Sequence, residues 1–316
     1  MEQLYTFENI EETRTYLKEV YTRSQEFGIE SVVVNGFVYK VEDDKIILLD
    51  YEGENVEKLV VLDWFDELNS RSEAVGKNIK EVEFGEHLKV IGAYGMNTWY
   101  HLRKITAPGI EVVKDYAFYN NGNLQEVVMI NLRHIGSNAF DACTGLSSIT
   151  LEKVEVLEFR ALADTGLISV NLPALKQCGG QALSDNRRLT KVKLPSHRFR
   201  PGYAMMTNCY RLSEVINSEV MEEIQPDTFR QCRNLHHMNL RARSIAPSAF
   251  NGCANLQTVR LYNNIVYVSQ TALQRLNMDV PSNRKLPVAE FRERIQRERK
   301  TLYQKHIENI KKGRYL

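Results

Sequence analysis

Two stretches of thirteen residues decide the fold: AFDACTGLSSITL at residues 139–151 and AFNGCANLQTVRL at residues 249–261. Both begin with Ala-Phe, have cysteine at the fifth position, and have leucine at the eighth and last positions. The two copies lie 110 residues apart, which is five times 22. This offset indicates an internal repeat, the sequence signature of a solenoid or another repeat architecture.

The extended pattern reads I-G-x-x-A-F-x-x-C-x-x-L-x-x-I-x-L, and it can be placed along the whole middle of the chain. The clearest units are Ile135–Leu151, Ile224–Leu240 and Ile245–Leu261. Units in this frame begin at residues 91, 113, 135, 157, 178, 201, 224, 245 and 268, and the last one is truncated. Because the steps between them are 21 to 23 residues, the sequence predicts nine stacked units.

The spacing inside one unit predicts a short strand and a return segment. The Ile and the final Leu of L-x-x-I-x-L are two residues apart, so both point to the same face of a strand. The Ala-Phe and Cys positions are also expected to point inward. One unit cannot bury this apolar side alone, and stacking in register buries it as a continuous column.

This pattern resembles the BspA-type leucine-rich repeats, and the segment GFVYKVEDDKIILLDYEGENVEKLVVL, residues 36–62, resembles the hairpin that precedes them. The resemblance covers roughly residues 31–280. It implies a leucine-rich-repeat array with a hairpin before it. With the helices that the residues predict at both ends, described below, the expected fold class is an α+β repeat solenoid with an amino-terminal helix-hairpin cap and a carboxy-terminal helix. The resemblance also implies no catalytic residues, since members are typically surface proteins of bacteria or protists that bind proteins of a host or neighbouring cell.

The amino-terminal block, residues 1–84, is expected to cap the first repeat, because an exposed solenoid end leaves apolar surface and strand edges open. Apolar residues at helical spacing predict a helix over residues 8–27, ended by Gly28. Two strands are predicted near Val32–Val41 and Lys45–Tyr51, joined by the polar residues EDDK. The alternative interpretation of this block is a separate acidic docking domain.

The repeats occupy residues 85–281, and Trp64 and Phe65 lie in the segment that leads to them. Residues 282–316 predict one long helix with a narrow apolar stripe and a basic outer face. This helix either covers the last repeat, binds an acidic partner or nucleic acid, or lies on a membrane surface. Its candidate contacts to an anionic partner are Arg292, Arg294, Arg297, Arg299 and Lys300.

The formal net charge of +1 hides a segregation along the chain, with −11 in residues 1–84, +5 in residues 85–281 and +7 in residues 282–316. The amino terminus is acidic and no apolar run approaches about 18 residues, so neither a signal peptide nor a membrane span is predicted. We therefore expect a cytoplasmic protein. Five cysteines spread over the chain do not form a secreted disulfide framework, and we expect reduced thiols.

The sequence has no motif that predicts catalysis. It lacks the phosphate-binding G-x-x-x-x-G-K-[ST], the G-x-S-x-G elbow and the metal-binding H-E-x-x-H. His236 and His237 are adjacent on a predicted strand and point to opposite faces, so they do not make a metal site by themselves. Cys143, Cys209, Cys232 and Cys253 share one repeat position and are expected to pack in the core. No enzyme activity, cofactor or metal is predicted.

The remaining candidate site is the surface formed by the outward positions of the repeat strands, which we call the strand face. Solenoids use such an extended face for binding, and its mixed polar composition favours a protein partner. The predicted positions are Lys104, Thr106, Glu126, Ser148, Thr150, Ser169, Asn171, Lys191, Lys193, Glu214, His237, Asn239, Thr258 and Arg260.

The predicted function is therefore a non-enzymatic protein-binding or assembly module. One alternative is a nucleic-acid-associated protein that uses the basic late repeats and the carboxy-terminal helix, whose affinity would fall steeply with salt. The arginines that favour it are Arg187, Arg188, Arg198, Arg200, Arg230, Arg233, Arg241 and Arg243. A second alternative is an exported cell-surface adhesin.

Overall fold

The computed structural model describes residues 9–53, 56–61, 63–69, 78–246, 248–261, 267–268 and 277–279. It contains an α-helix, α1 (Ile10–Gln25), a 3₁₀ helix at Ser218–Val220, and the strands that follow. The strands are β1 (Val32–Val34), β2 (Phe37–Glu42), β3 (Lys45–Tyr51), β4 (Lys58–Val61), β5 (Glu67–Leu68), β6 (Glu81–Phe84), β7 (Val90–Ile91), β8 (Lys104–Thr106), β9 (Val112–Val113), β10 (Glu126–Val128), β11 (His134–Ile135), β12 (Ser148–Ile149), β13 (Val156–Leu157), β14 (Ser169–Asn171), β15 (Gln177–Cys178), β16 (Lys191–Lys193), β17 (Glu214–Ile216), β18 (Glu223–Ile224), β19 (His237–Leu240), β20 (Ser244–Ile245), β21 (Thr258–Leu261), β22 (Tyr267–Val268) and β23 (Asn277–Asp279). The predicted carboxy-terminal helix at residues 282–316 lies outside the described residues.

The amino-terminal helix forms as predicted. The Asn9 side chain accepts a hydrogen bond from the Glu11 amide at 2.9 Å, which satisfies one of the free N–H groups at the start of α1. Gly28 follows the helix with φ +71°, a left-handed conformation that glycine adopts without steric cost. Leu17 is buried beneath the helix, and its carbonyl accepts a hydrogen bond from the Tyr39 hydroxyl at 2.9 Å.

The predicted single strand at Val32–Val41 is instead two strands, because the chain reverses within it, although its second part pairs with β3 as expected. Asn35 and Gly36 have φ values of +50° and +80°, and they join β1 to β2 as an antiparallel hairpin. Positive φ at both central residues characterises the two-residue turn that Asn-Gly favours. The predicted strand at Lys45–Tyr51 is confirmed, and β3 pairs antiparallel with β2.

The three cap strands continue directly into the repeat array. Strand β3 pairs in parallel with β5, and β5 pairs in parallel with β7. Arg14 of α1 ties the helix to this junction through two hydrogen bonds to the Asp66 carboxylate, at 2.9 and 2.8 Å. Trp64 and Phe65 belong to the core, since their side chains are 8% and 1% exposed. The division of the chain into three domains stays a prediction.

The predicted repeat frame is confirmed by a ladder of two-residue strands. The units predicted to begin at residues 91, 113, 135, 157 and 178 each begin at the last residue of a strand in the parallel run β7-β9-β11-β13-β15. The unit at residue 201 differs, because only an isolated bridge between Phe199 and Met221 forms there. Pro201 stands at the ladder position and has no N–H to donate. The ladder resumes as β18-β20-β22.

The second side of the solenoid carries the longer strands in three separate sheets. Their strand orders are β4-β6-β8-β10-β12, β14-β16-β17 and β19-β21-β23, and every pairing within them is parallel. One break falls before β14, where the segment from Thr165 to Leu167 is one residue shorter than the matching segment from Cys143 to Leu146. The other break lies between β17 and β19, where the 3₁₀ helix intervenes.

The apolar repeat positions form one continuous core between these two sides, as the spacing predicts. Phe118 and Phe140 stack with ring centroids 4.9 Å apart and planes 7° apart. Phe229 and Phe250 stack in the same way at 5.3 Å and 9°. Adjacent units therefore interlock through identical side chains, which explains why the Ala-Phe pair recurs in the sequence.

Candidate functional site

The strand face follows the outward positions of the longer strands. In β10 and β16 the central valine is buried, and the residues on either side of it, Glu126 and Val128 in β10 and Lys191 and Lys193 in β16, are partly or fully exposed. This alternation places the predicted site residues on the solvent side of the strands and the central valine in the core. The side chain of Thr258 lies outside the described part of the structure.

The three sheets divide the predicted site residues into three groups. The first sheet carries Lys104, Thr106, Glu126 and Ser148, with Thr150 just beyond the end of β12. The second carries Ser169, Asn171, Lys191, Lys193 and Glu214, and the third carries His237, Asn239, Thr258 and Arg260. The structure therefore brings the candidates together within each sheet rather than along one uninterrupted ladder.

Opposite charges face one another along this surface. Lys104 Nζ lies 3.1 Å from Glu126, directly across the β8–β10 pair. Lys191 Nζ lies 3.0 Å from Glu214 across the β16–β17 pair. Lys193 has no ion pair in the described part of the chain and faces Asn171 and Ile216. It is the strand-face cation of the second sheet that remains available to a partner.

The sequence analysis missed the first two rungs of the strand face. Glu81 and Glu83 of β6 occupy the same outward positions one unit before Lys104, and Lys58 and Val60 of β4 occupy them two units before it. Lys58 Nζ lies 2.8 Å from Glu83, and this hydrogen bond raises the pKa of Lys58 above its ordinary value. The alternation in EKLVVL and KEVEF was the available signal.

The turn segments form a second surface, here called the turn edge. In the six units beginning at residues 113 to 224, two residues per unit adopt positive φ, four positions apart, as Asn138 and Ala142 do. Amides from this segment then donate to the next unit, for example Phe140 N to Ala161 O at 3.0 Å. Three such bonds join each pair of units along most of the edge, so backbone hydrogen bonds connect the turns between units as they connect the strands.

A charged network crosses the turn edge at Arg160. Its guanidinium donates two hydrogen bonds of 2.9 Å to Asp141 and one of 3.2 Å to Asp185. Burial acts to raise the pKa of Asp185, but hydrogen bonds from Asn208, Ser184 and Arg160 outweigh it and hold this pKa below the ordinary value. Hydrogen bonds from Arg160 to Asp141 raise the pKa of the guanidinium, which stays charged.

The four cysteines that share a repeat position lie in or against the core and also hydrogen-bond to the preceding unit. The thiol Sγ atoms of Cys143, Cys209 and Cys232 donate to backbone carbonyls of the preceding unit at 3.1, 3.2 and 3.2 Å. Burial raises the pKa of Cys209 to about 12. All five cysteines are free in the structure. Their redox state stays a prediction.

Several late-repeat arginines have acidic neighbours. Arg198 and Arg243 each lie 4.0 Å from Glu222, and Arg200 lies 2.7 Å from Glu223. The predicted contacts that lie outside the described residues are Arg292, Arg294, Arg297, Arg299 and Lys300.

The two adjacent histidines, His236 and His237, have ring centroids 6.3 Å apart, and the described residues offer no group of three or more metal-ligating side chains. In the same part of the chain, no helix is long and apolar enough to cross a bilayer.

Comparison with protein families gives a match to the BspA-type leucine-rich repeat region, with six copies over residues 74–188 and 162–279. These ranges together span more than half of the 316 residues. The chain belongs to the BspA-type leucine-rich repeat family. Curated proteins give no match. One solved structure similar to this BspA-type protein is a leucine-rich cell surface protein from Faecalibacterium prausnitzii. The two chains are 15% identical, the alignment covers 81% of this chain and 96% of that chain, and the TM-score is 0.42.

Two further structures are similar to this BspA-type protein. The Treponema pallidum leucine-rich repeat protein TpLRR is 21% identical, with 65% of this chain and 90% of that chain covered and a TM-score of 0.47. The pneumococcal vaccine antigen PcpA is 15% identical, with 80% and 88% covered and a TM-score of 0.41. The cytoplasmic location expected from the sequence stays a prediction.

Proposed function

We propose that this chain is a non-enzymatic protein-binding or assembly module that engages its partner through the strand face. The observation that supports this most directly is the arrangement of the outward side chains. Within each of the three sheets they stand in register on parallel strands above a continuous core, so a partner meets side chains at fixed spacings of about 4.8 Å from strand to strand.

The composition of the strand face suits a protein partner. Charged and amide side chains such as Lys193, Asn171 and Asn239 alternate with apolar ones such as Val60, which is 53% exposed. Protein interfaces combine apolar and polar area in this way, with roughly one hydrogen bond per 100–200 Å². A rigid surface also loses little conformational entropy on binding, which favours affinity.

Nucleic-acid binding by the late repeats is the weaker candidate. Arg198, Arg200 and Arg243 are already beside Glu222 or Glu223, and a phosphate would have to compete with these carboxylates. A protein that neutralises phosphates also loses affinity steeply as salt rises. Retention of partner binding at physiological salt therefore separates the two candidates.

The test is site-specific photocrosslinking in the native host. A photoreactive amino acid replaces Lys193 or Asn239 on the strand face, and Lys45 on the cap strand β3 serves as the exposed control. We expect the same partner protein to be crosslinked from both strand-face positions and not from position 45. Crosslinks that are equal at all three positions, or confined to position 45, would contradict the proposal.

A further inference from the structure

A polar trough of about 490 Å³ lies on the turn edge, across the units that begin at residues 178, 201 and 224. Its middle unit contributes the small side chains of Ala204 and Thr207. The flanking units contribute larger ones at matching positions, Gln181 before Ala204 and Asp227 after it, and Arg230 after Thr207. The depression therefore arises from a difference in side-chain size between adjacent units.

The trough presents unpartnered groups of both signs. At another point of the turn edge the charges are paired, since Arg160 lies between Asp141 and Asp185. By contrast, the described part of the chain supplies no hydrogen-bond or ion-pair partner for the carboxylate of Asp227 or the guanidinium of Arg230. The Asp227 carboxylate, an acceptor, and the Arg230 guanidinium, a donor, therefore border the same trough and belong to the same unit.

The remaining lining is polar and held in place. Asn208 donates to Asp185 at 2.8 Å, which leaves the amide oxygen of Asn208 free to accept. Arg233 Nε donates to Gln231 at 3.0 Å, and its guanidinium lies 5.1 Å from the centroid of the Tyr210 ring. These contacts fix the side chains before a ligand arrives, which lowers the entropic cost of binding.

The chemistry of the lining favours a neutral polyhydroxylated ligand. A hydroxyl group both donates and accepts, so neighbouring hydroxyls can bond to Asp227 and Arg230 together. The two aspartates and two arginines of the lining balance in charge, which disfavours a polyanion. The volume lies within the range of roughly 300–1,000 Å³ typical of small-molecule pockets, and the predominantly polar lining disfavours an apolar ligand.

We propose that this trough is a saccharide-binding site, in which Asp227 accepts from and Arg230 donates to hydroxyl groups of a neutral oligosaccharide. The site lies on the turn edge and is separate from the strand face, so it adds a glycan ligand to the proposed protein partner. Tyr210 and the amide side chains of Asn208 and Gln231 complete the lining.

The experiment applies the full chain to an array of neutral oligosaccharides of defined sequence, then repeats the titration in solution with any glycan that binds. The variants are Asp227→Asn and Arg230→Gln, with Arg187→Gln as an exposed control outside the trough. Asn tolerates the left-handed conformation of residue 227, where φ is +58°, so this change preserves the turn. Thermal unfolding checks that each variant is folded.

We expect at least one neutral glycan to bind, and each trough variant to weaken it by about tenfold or more, the effect of losing one charge-assisted hydrogen bond. Arg187→Gln is expected to leave binding unchanged. A parallel titration uses hexaglutamate as an acidic peptide. Absence of binding to every neutral glycan, binding by both trough variants as strong as that of the unchanged chain, or hexaglutamate binding that Asp227→Asn strengthens would each overturn the proposal.

Discussion

Removal of the Phe140 ring tests the assignment of the Ala-Phe position to the stacked core. Phe140 is fully buried, and its ring stacks on that of Phe118 at 4.9 Å with planes 7° apart. Phe140→Ala leaves a cavity that the neighbouring units cannot close, because hydrogen bonds to both sides hold their turns. We expect a loss of about 3–5 kcal/mol in the free energy of unfolding.

The stacking contribution can be separated from the burial by a double-mutant cycle. Phe118→Leu and Phe140→Leu each keep an apolar side chain of moderate size and remove one ring. We expect a coupling free energy of about 0.5–1.5 kcal/mol between the two changes, the size measured for aromatic pairs beyond their area. Tyr100→Ala is the control, because Tyr100 is 55% exposed and its loss is expected to change stability by about 0.5 kcal/mol or less.

The assay combines denaturant unfolding with amide hydrogen exchange, because a long repeat array can depart from two-state unfolding. The exchange data are expected to show reduced protection in the units that begin at residues 113, 135 and 157, and much smaller changes in α1. A loss below about 1 kcal/mol for Phe140→Ala, or an equal loss of protection along the whole chain, would refute the reasoning.

Three other experiments test the burial of Cys209, the ion pairs of Arg160 and the close packing at Gly136. The rate of thiol labelling at Cys209 in the native protein is expected to be slow and to rise little between pH 7 and 9, because its pKa of about 12 keeps the thiol protonated. Mass spectrometry measures this rate, and rapid labelling would contradict the burial of Cys209. Arg160→Ala is expected to cost about 2–4 kcal/mol in chemical unfolding because it leaves Asp141, 9% exposed, without its partner; a loss under about 1 kcal/mol is evidence against the network. Gly136→Ala is expected to lower the melting temperature, because its Cβ would lie 2.7 Å from a backbone nitrogen, whereas Gly122→Ala meets only a side-chain oxygen at 3.5 Å and is the tolerated control.

The repeat frame was predictable from sequence because the same apolar positions recur in every unit. The predicted unit starts at residues 91, 113, 135, 157 and 178 are each the last residue of a short strand, and the stacked phenylalanines occupy the predicted inward position. The hairpin at Asn35-Gly36 was also readable, since Asn-Gly favours a two-residue turn, but three valines on one side of it resembled the start of a long strand.

The interruptions and the trough could not be predicted in the same way. The predicted frame already begins a unit at Pro201. The pairing of the neighbouring units shows in addition that only an isolated bridge forms there in place of a strand. The trough depends on the contrast between Ala204 and its neighbours Gln181 and Asp227, which becomes visible once the units are aligned in space. The two strand-face breaks follow from local differences between units, a segment one residue shorter before β14 and the 3₁₀ helix between β17 and β19.

The stacking of short units also determines how the chain responds to tension. Each unit of 21 to 23 residues adds only about 4.8 Å to the length of the solenoid while it is folded. The same residues span about 70–80 Å when extended. A force applied to the two ends of the chain would therefore unfold one unit at a time. Each unfolded unit would lengthen the chain by about 65–75 Å while the other units stay folded.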